Sequence, residues 1–266
     1  RQETGWFKGA DGKWRFEIDD SDAKLKKPWQ NKGQLFGDIH SLMFKRRIEA
    51  RMPGGFTVGD VLDHPALFAA YPHIANIALT NQKEAGASFF RSPIDPPAIR
   101  IGKDTAMSDV VSKILHEVQH VIQEDENFAT GGSANGIARN PMEYATKDDI
   151  EYAKSLPAYE RAKDKQEFIR SFIGMKLDNP LDAYRRLSGE VESRNTQARQ
   201  RMTADQRRNA SPESTADVKA SDVIVVFNGK EMHDAPTPAN SRTRSGITNF
   251  TPEQITESLR KSPFVG

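Results

Sequence analysis

Positions 116–120 carry the sequence His-Glu-Val-Gln-His, whose residue types and spacing suit a metal ion. Positions i and i+4 of a helix lie on one face about one turn apart, so His116 and His120 can offer two imidazole nitrogens to one tetrahedral zinc ion. Glu117 follows the first ligand, where its carboxylate can take a proton from a water that the ion activates. The segment therefore predicts a Zn2+ site that hydrolyses peptide bonds, with Glu117 as general base.

The same five residues have a plainer interpretation, a solvated helix face that carries two unrelated histidines. The chain has six histidines, and a chance match to this motif in a sequence of this length is roughly a one-in-a-hundred event. Many chance matches fall in loops, whereas this one lies in a predicted amphipathic helix, capped by Ser108 and ending near Asn127. Its apolar residues recur at helical spacing: Val111, Ile114, Leu115, Val118, Val121 and Ile122.

A catalytic zinc ion usually has three protein ligands, and one place for the third is the same helix. A ligand ten residues after His116 would be Glu126, and the chain would need a glycine three residues earlier to turn there. Gln123 occupies that position instead. A third ligand from this helix is therefore disfavoured.

A better candidate lies in the helix predicted after Pro180, where the sequence reads Gly189-Glu190-Val191-Glu192. A glycine inside an otherwise strong helix suggests that another backbone approaches closely there. Glu190 lies nearer the apolar face than Glu192 does, so we favour Glu190 as the third ligand and leave Glu192 open. Either carboxylate could instead be an ordinary surface glutamate.

The bulk composition argues against several classes of protein. The 38 Lys and Arg residues nearly balance the 37 Asp and Glu residues, so no global field favours nucleic acid, and nucleic-acid binding is not expected. The absence of cysteine excludes disulfides and thiolate ligands and fits an intracellular protein. No apolar run approaches the roughly 18–20 residues of a membrane span. The chain begins with Arg1 rather than Met, which is compatible with a piece of a longer protein.

The overall pattern predicts an α+β fold, with a small twisted sheet, the 116–120 helix packed on it, and a mostly helical C-terminal half. Residues 1–55 should form a β-hairpin, turning at Asp11-Gly12, and a loop. Residues 56–205 should form the core, and residues 206–266 a polar extended tail. Further elements are expected as strands at 74–80 and 98–102 and as helices at 143–156, 158–175 and 180–197.

Two finer expectations concern faces and edges. Trp14, Phe16 and Ile18 alternate with polar residues, which predicts a strand that turns its apolar side inward. The strand around Ile99 to Ile101 is expected to line the substrate cleft, where an extended peptide could pair with it. A donor for the developing oxyanion is also needed, and three candidates remain open: Tyr144, Tyr184 and Arg194.

Three segments resemble zincin-like metallopeptidase domains of large phage and mobile-element polyproteins, called polyvalent proteins. The first is the helix segment 115–123, Leu-His-Glu-Val-Gln-His-Val-Ile-Gln, followed by Phe-Ala-Thr-Gly-Gly-Ser at 128–133. The second is Gly-Glu-Val-Glu-Ser-Arg-Asn-Thr-Gln-Ala-Arg at 189–199. The third is the opening segment from Gly5 to Ile18, which is similar to one found beside such domains.

The resemblance implies a zincin-like fold in which His116, His120 and a glutamate of segment 189–192 bind zinc. It implies a protein or peptide substrate, phage virion proteins as possible partners, and a location in the host cytoplasm or the virion. Two rival functions remain. One is a catalytically inactive interaction module of a virion or delivered assembly, for which an intact Glu117 would be unnecessary. The other is a nucleic-acid-associated module, which would bind with strong salt dependence.

Overall fold

The protein is described by a computed structural model that covers residues 5–27, 29 and 56–226. Within these ranges it has the expected α+β architecture, with short strands in the first half and mostly helices in the second. The strands are β1 (Trp6–Lys8), β2 (Trp14–Phe16), β3 (Lys24–Leu25), β4 (Phe56–Thr57), β5 (Leu62–Asp63), β6 (Ala78–Gln82), β7 (Ala87–Phe90) and β8 (Ala98–Gly102).

Helices contain more of the described residues than strands do. They are α1 (Val58–Val61), α2 (Pro65–Ala70), α3 (Met107–Asp125), α4 (Ala134–Arg139), α5 (Lys147–Ser155), α6 (Pro157–Arg161), α7 (Lys165–Lys176), α8 (Pro180–Arg186), α9 (Ser188–Arg199), α10 (Ala204–Asn209) and α11 (Pro212–Thr215). Short 3-10 helices occupy Pro72–Asn76, Pro141–Tyr144 and Ala220–Asp222. No helix in these ranges combines the length and hydrophobicity needed to cross a bilayer.

The main sheet has four strands in the order β4-β6-β8-β7. Strands β6 and β8 are parallel, and the other two pairs are antiparallel. The strand expected at 98–102 is confirmed as β8. The strand expected at 74–80 begins later, because Pro72 opens a 3-10 helix that lasts until Asn76. Strand β7 lies between the two expected strands, where no element was predicted. It begins directly after Gly86, whose φ is 95°, and pairs with β8 in antiparallel register.

Helix α3 packs against β7, β8 and α9 and thereby joins the sheet to the helical half. It buries the apolar residues predicted from periodicity, including Val111, Ile114 and Val118. The predicted cap is wrong, since the helix begins at Met107 after an extended Ala106, and no side chain caps it. Ser108 is already inside the helix, where its hydroxyl donates to Asp109 at 3.1 Å.

The hairpin is confirmed, but its buried face is the opposite of the one expected. Strands β1 and β2 pair in antiparallel register around the Asp11-Gly12 turn. Trp14 and Phe16 are 51% and 48% exposed, whereas Arg15 between them is 4% exposed. The inversion has an electrostatic cause, because the Arg15 guanidinium turns inward to pair with buried carboxylates.

The long helix expected from 180 to 197 is two helices that meet at Leu187, which has extended backbone angles. A segment from the expected tail creates this break. Ile224 accepts a hydrogen bond from the N–H of Ser188 and donates to the carbonyl of Arg186, both at 2.8 Å. Similarly, the helix expected at 158–175 is interrupted between α6 and α7.

The described part of the expected tail, 206–226, is folded onto the core rather than extended. It includes α11, and Ile224 and Val226 are buried in the apolar cluster of the helical half. A second apolar cluster lies between the sheet and α3. Residues 227–266 lie outside the described ranges, as does most of the expected loop before residue 55.

Candidate metal centre

Helices α3 and α9 bring His116, His120 and Glu190 together at their contact. One ligand atom from each residue lies within 4.8 Å of the others. The distance from His116 Nε2 to Glu190 Oε2 is 3.5 Å, and that from His120 Nε2 to Glu190 Oε1 is 3.4 Å. Glu192 faces Arg15 and Gln123 instead, so Glu190 is the glutamate that the fold brings to the two histidines.

Two glutamines fix the orientation of the imidazole rings. Gln123 donates through Nε2 to a carbonyl of α9 at 2.9 Å and presents Oε1 to His120 Nδ1, also at 2.9 Å. Gln197 donates to a carbonyl of α3 at 3.1 Å and presents Oε1 to His116 Nδ1 at 3.1 Å. Because an amide oxygen only accepts, each Nδ1 carries the proton. In a neutral imidazole this leaves the lone pair on Nε2, which in both residues is directed at Glu190.

With neutral imidazoles, the Nε2 atoms of the two histidines and the oxygens of the Glu190 carboxylate are all hydrogen-bond acceptors. A cation between them would satisfy all of these groups. Glu190 is 2% exposed, and the Tyr184 hydroxyl donates a hydrogen bond to its carboxylate. The separations of 3.4 and 3.5 Å exceed those of ordinary hydrogen bonds. Two ligands about 2.0–2.1 Å from a tetrahedral ion stand about 3.4 Å apart, so each of the two histidine–glutamate separations suits a shared ion. These three residues can hold a metal ion.

Two glycines allow the loop after α3 to close over the site. A Cβ on Gly189 would lie 2.1 Å from the backbone nitrogen of Gly131, which confirms the close approach predicted from the sequence. A Cβ on Gly131 would lie 2.3 Å from Glu190 Oε1 and 2.8 Å from a carbon of His120. The N–H of Gly132 donates to Glu190 Oε1 at 3.3 Å. The loop thus orients the Glu190 carboxylate towards the histidines.

Glu117 lies beside this cluster and is 4% exposed. Burial raises the pKa of its carboxyl to about 7; the charge of Glu190 also raises this pKa, while His120 and a backbone hydrogen bond from Phe89 oppose the rise. The structure thus places a buried carboxylate one residue from the His116 ligand, with a pKa near neutrality.

Of the three candidate oxyanion donors, Tyr184 is the one that faces the carboxylates. Burial raises the pKa of its hydroxyl, and the charges of Glu190 and Glu117 raise it further. Arg194 instead pairs with Asp217 at 2.6 Å. Tyr144 is directed at the loop after α3, since a Cβ on Gly132 would lie 3.2 Å from its hydroxyl.

The strand that borders the site is β7 and not β8, which corrects the expectation for Ile99 to Ile101. Strand β8 is flanked by β6 and β7, so its backbone is already paired on both sides. Strand β7 pairs with β8 alone among the described strands, and Phe89 at its centre directs its N–H towards Glu117. The open edge of the sheet therefore faces the candidate centre.

Sequence reasoning missed the residues that support the ligands. Gln123 had been considered only as the wrong residue for a turn, although its i,i+3 spacing from His120 on one helix is a usable signal. Arg15 and Asp11 had no comparable signal, because each already fitted a strand or a turn. The remaining described histidines lie outside the centre: His64 caps α2 and pairs with Asp20, and His73 pairs with Asp125. His40 and His233 lie outside the described residues.

Comparison with known proteins gives one match. A family model described as large polyvalent protein associated domain 23 matches residues 1–26. The match associates the N-terminal segment with polyvalent proteins, as the sequence resemblance implied, and it assigns no zincin or peptidase family. Searches of curated proteins and of solved structures returned no match.

Proposed function

We propose that this protein is a zinc-dependent metallopeptidase. The observation that carries the proposal is the convergence of two imidazole lone pairs and the buried Glu190 carboxylate, with Glu117 beside them. Two histidines, one glutamate and an open fourth position are the ligand set of catalytic zinc in metallopeptidases. Zinc, when bound, would supply a Lewis acid that polarises a carbonyl group and makes water more acidic.

Glu117 is the proposed general base and then general acid. Its position next to His116 puts the carboxylate on the side of the cluster that faces β7. There it can take a proton from the attacking water and pass that proton to the leaving amine. Tyr184, which faces the same two carboxylates, is the proposed donor to the oxyanion.

Strand β7 is the proposed binding site for the substrate backbone. An extended peptide can add to an open sheet edge through main-chain hydrogen bonds. Because Phe89 lies next to Glu117, a peptide on this edge would pass the catalytic residues. The substrate class is therefore a protein or peptide in extended conformation, and the match to a polyvalent domain makes phage or host proteins the first substrates to test.

The proposal is tested by measuring cleavage of a fluorescence-quenched peptide library by the zinc-loaded chain. Glu117→Gln should lower the rate by about 10³-fold, because a positioned base contributes roughly 10²- to 10⁴-fold. Glu124→Gln is the matched control, since Glu124 lies on the same helix and pairs with Arg91 at 3.1 Å. Equal activity of the native chain and Glu117→Gln would favour the inactive interaction module instead.

A further inference from the structure

Arg15 connects the N-terminal hairpin to the helix that carries Glu190. Its side chain is 4% exposed and donates to both oxygens of Asp11, at 2.6 and 2.9 Å. Its Nε lies 2.9 Å from Glu192 Oε1, and the guanidinium stacks 4.0 Å from the centre of the Phe128 ring. One positive charge is thus held between two carboxylates, one on the hairpin and one on α9.

From Arg15 a continuous series of contacts leads to a metal ligand. The other oxygen of Glu192 accepts from Gln123 Nε2 at 3.3 Å. The same amide presents its oxygen to His120 Nδ1 at 2.9 Å. The position of Glu192 therefore influences the orientation of the Gln123 side chain, and Gln123 in turn orients the imidazole ring of His120.

A second connection leads from the same hairpin to the other side of the site. Asp11 Oδ2 accepts from the N–H of Ala129 at 2.9 Å. Ala129 lies two residues before Gly131 in the loop after α3. In this glycine loop, the N–H of Gly132 donates to Glu190 at 3.3 Å. The pair formed by Asp11 and Arg15 is therefore linked to both a histidine ligand and the glutamate ligand.

We infer that Arg15 is a positioning residue of the metal centre, and that the segment matching the polyvalent domain helps to build this centre. The inference rests on the proposed function only in requiring a metal on His116, His120 and Glu190. Without Arg15, the carboxylates of Asp11 and Glu192 would face each other without compensation. Glu192 would then move, Gln123 would follow, and the ring of His120 would lose its fixed orientation.

The hairpin segment offers a matched control. Glu17 pairs with Arg199 at 2.7 Å and with Arg207 at 2.8 Å. These arginines lie at the far end of α9 and in α10, away from Glu190. Glu17→Gln therefore weakens an ion pair between the N-terminal segment and the helical half, as Arg15→Gln does. This ion pair is not connected to a candidate metal ligand.

The experiment compares zinc affinity, measured by competition with a chelator, in the native chain, Arg15→Gln and Glu17→Gln. Arg15→Gln should weaken zinc binding about 10- to 100-fold, the usual effect of removing a partner that orients a ligand. It should also change the visible spectrum of the cobalt-substituted protein. Glu17→Gln should change the affinity by less than about 3-fold, because distant sites act independently.

Equal losses of affinity in the two variants would overturn the inference, since they would indicate only a general loss of stability. Unchanged affinity and cobalt spectrum in Arg15→Gln would overturn it too, while leaving the metallopeptidase proposal intact. Absence of zinc binding by the native chain would overturn both. If Arg15→Gln does not fold, the double variant Arg15→Gln with Glu192→Gln removes the facing charges and tests the same contact.

Discussion

The side chains of Asp11 and Arg15 determine which face of the hairpin is buried. A buried guanidinium is tolerated when its charge is compensated; Arg15 lies between the carboxylates of Asp11 and Glu192, and its two terminal nitrogens donate to Asp11. Satisfying that pair leaves Trp14 and Phe16 half exposed. At this position, charge pairing takes precedence over the burial of aromatic side chains.

The pH dependence of stability should report this pairing. Burial alone would raise the pKa of Asp11, but its hydrogen bond and charge interaction with Arg15 and backbone N–H groups hold it below 3.8. A folded pKa below the unfolded one adds stability above the unfolded value, and this stability is lost as the pH falls through the folded value. Asp11→Asn should lower the free energy of unfolding by about 3 kcal/mol near neutral pH.

Urea unfolding at several pH values checks this expectation. The difference between the native chain and Asp11→Asn should shrink as the pH falls below 3.8. Asparagine suits the turn before Gly12 as well as aspartate does, so the hairpin itself is preserved. A difference that stays constant with pH would mean that the charge of Asp11 contributes nothing.

Among the elements, the contact between α9 and the loop after α3 leaves no room for a side chain larger than that of glycine at position 189. A Cβ on Gly189 would meet backbone atoms at 2.1 and 2.3 Å, which no side-chain movement can relieve. Gly189→Ala should therefore destabilise the protein by about 3 kcal/mol or more in chemical denaturation. Gly174 lies in α7 with open space around it, so Gly174→Ala should instead stabilise it by about 0.5–1 kcal/mol.

Comparable stability of the two alanine variants would contradict the close approach at Gly189. Loss of zinc binding in a folded Gly189→Ala chain would agree with it, because the displaced loop is the one that orients Glu190.

The sequence predicted those features that depend on neighbouring residues, and it did not predict those that depend on contacts with distant residues. The spacing of His116 and His120 on a helix is local, and so is the glycine beside Glu190, and both features appear in the structure as expected. The break at Leu187 was not predictable, because the distant Ile224 causes it. Strand β7 was missed for a similar reason, since its pairing with β8 across the proline-rich segment 91–97 outweighs its weak local pattern.

At the scale of the whole molecule, segments from both ends of the described chain support the candidate metal centre. The hairpin reaches α9 and the glycine loop. Residues near Ile224 fix the junction before α9, and the carbonyl of Val226 accepts from Thr130 at 3.3 Å. We therefore expect that removing residues from either end of the range 5–226 would disturb the positions of the three candidate ligands.

Ile224 provides a test of that support. It is 5% exposed, and Ile224→Ala should lower the free energy of unfolding by about 3 kcal/mol through lost burial and a cavity. Ile94 is 92% exposed, so Ile94→Ala should change stability by less than about 0.5 kcal/mol. Similar small effects of both substitutions, measured by denaturant unfolding, would indicate that the segment at 223–226 lies loosely on the surface.

The most direct test of the central claim is the zinc content of the native chain, Glu190→Gln and Glu192→Gln, purified identically and measured by elemental analysis. The proposed function predicts about one zinc per chain in the native protein and in Glu192→Gln, and almost none in Glu190→Gln. Glu192 is outside the group that faces the two histidines, so Glu192→Gln controls for a change of charge on α9. A native chain without zinc after reconstitution, or full zinc content in Glu190→Gln, would contradict the proposed centre.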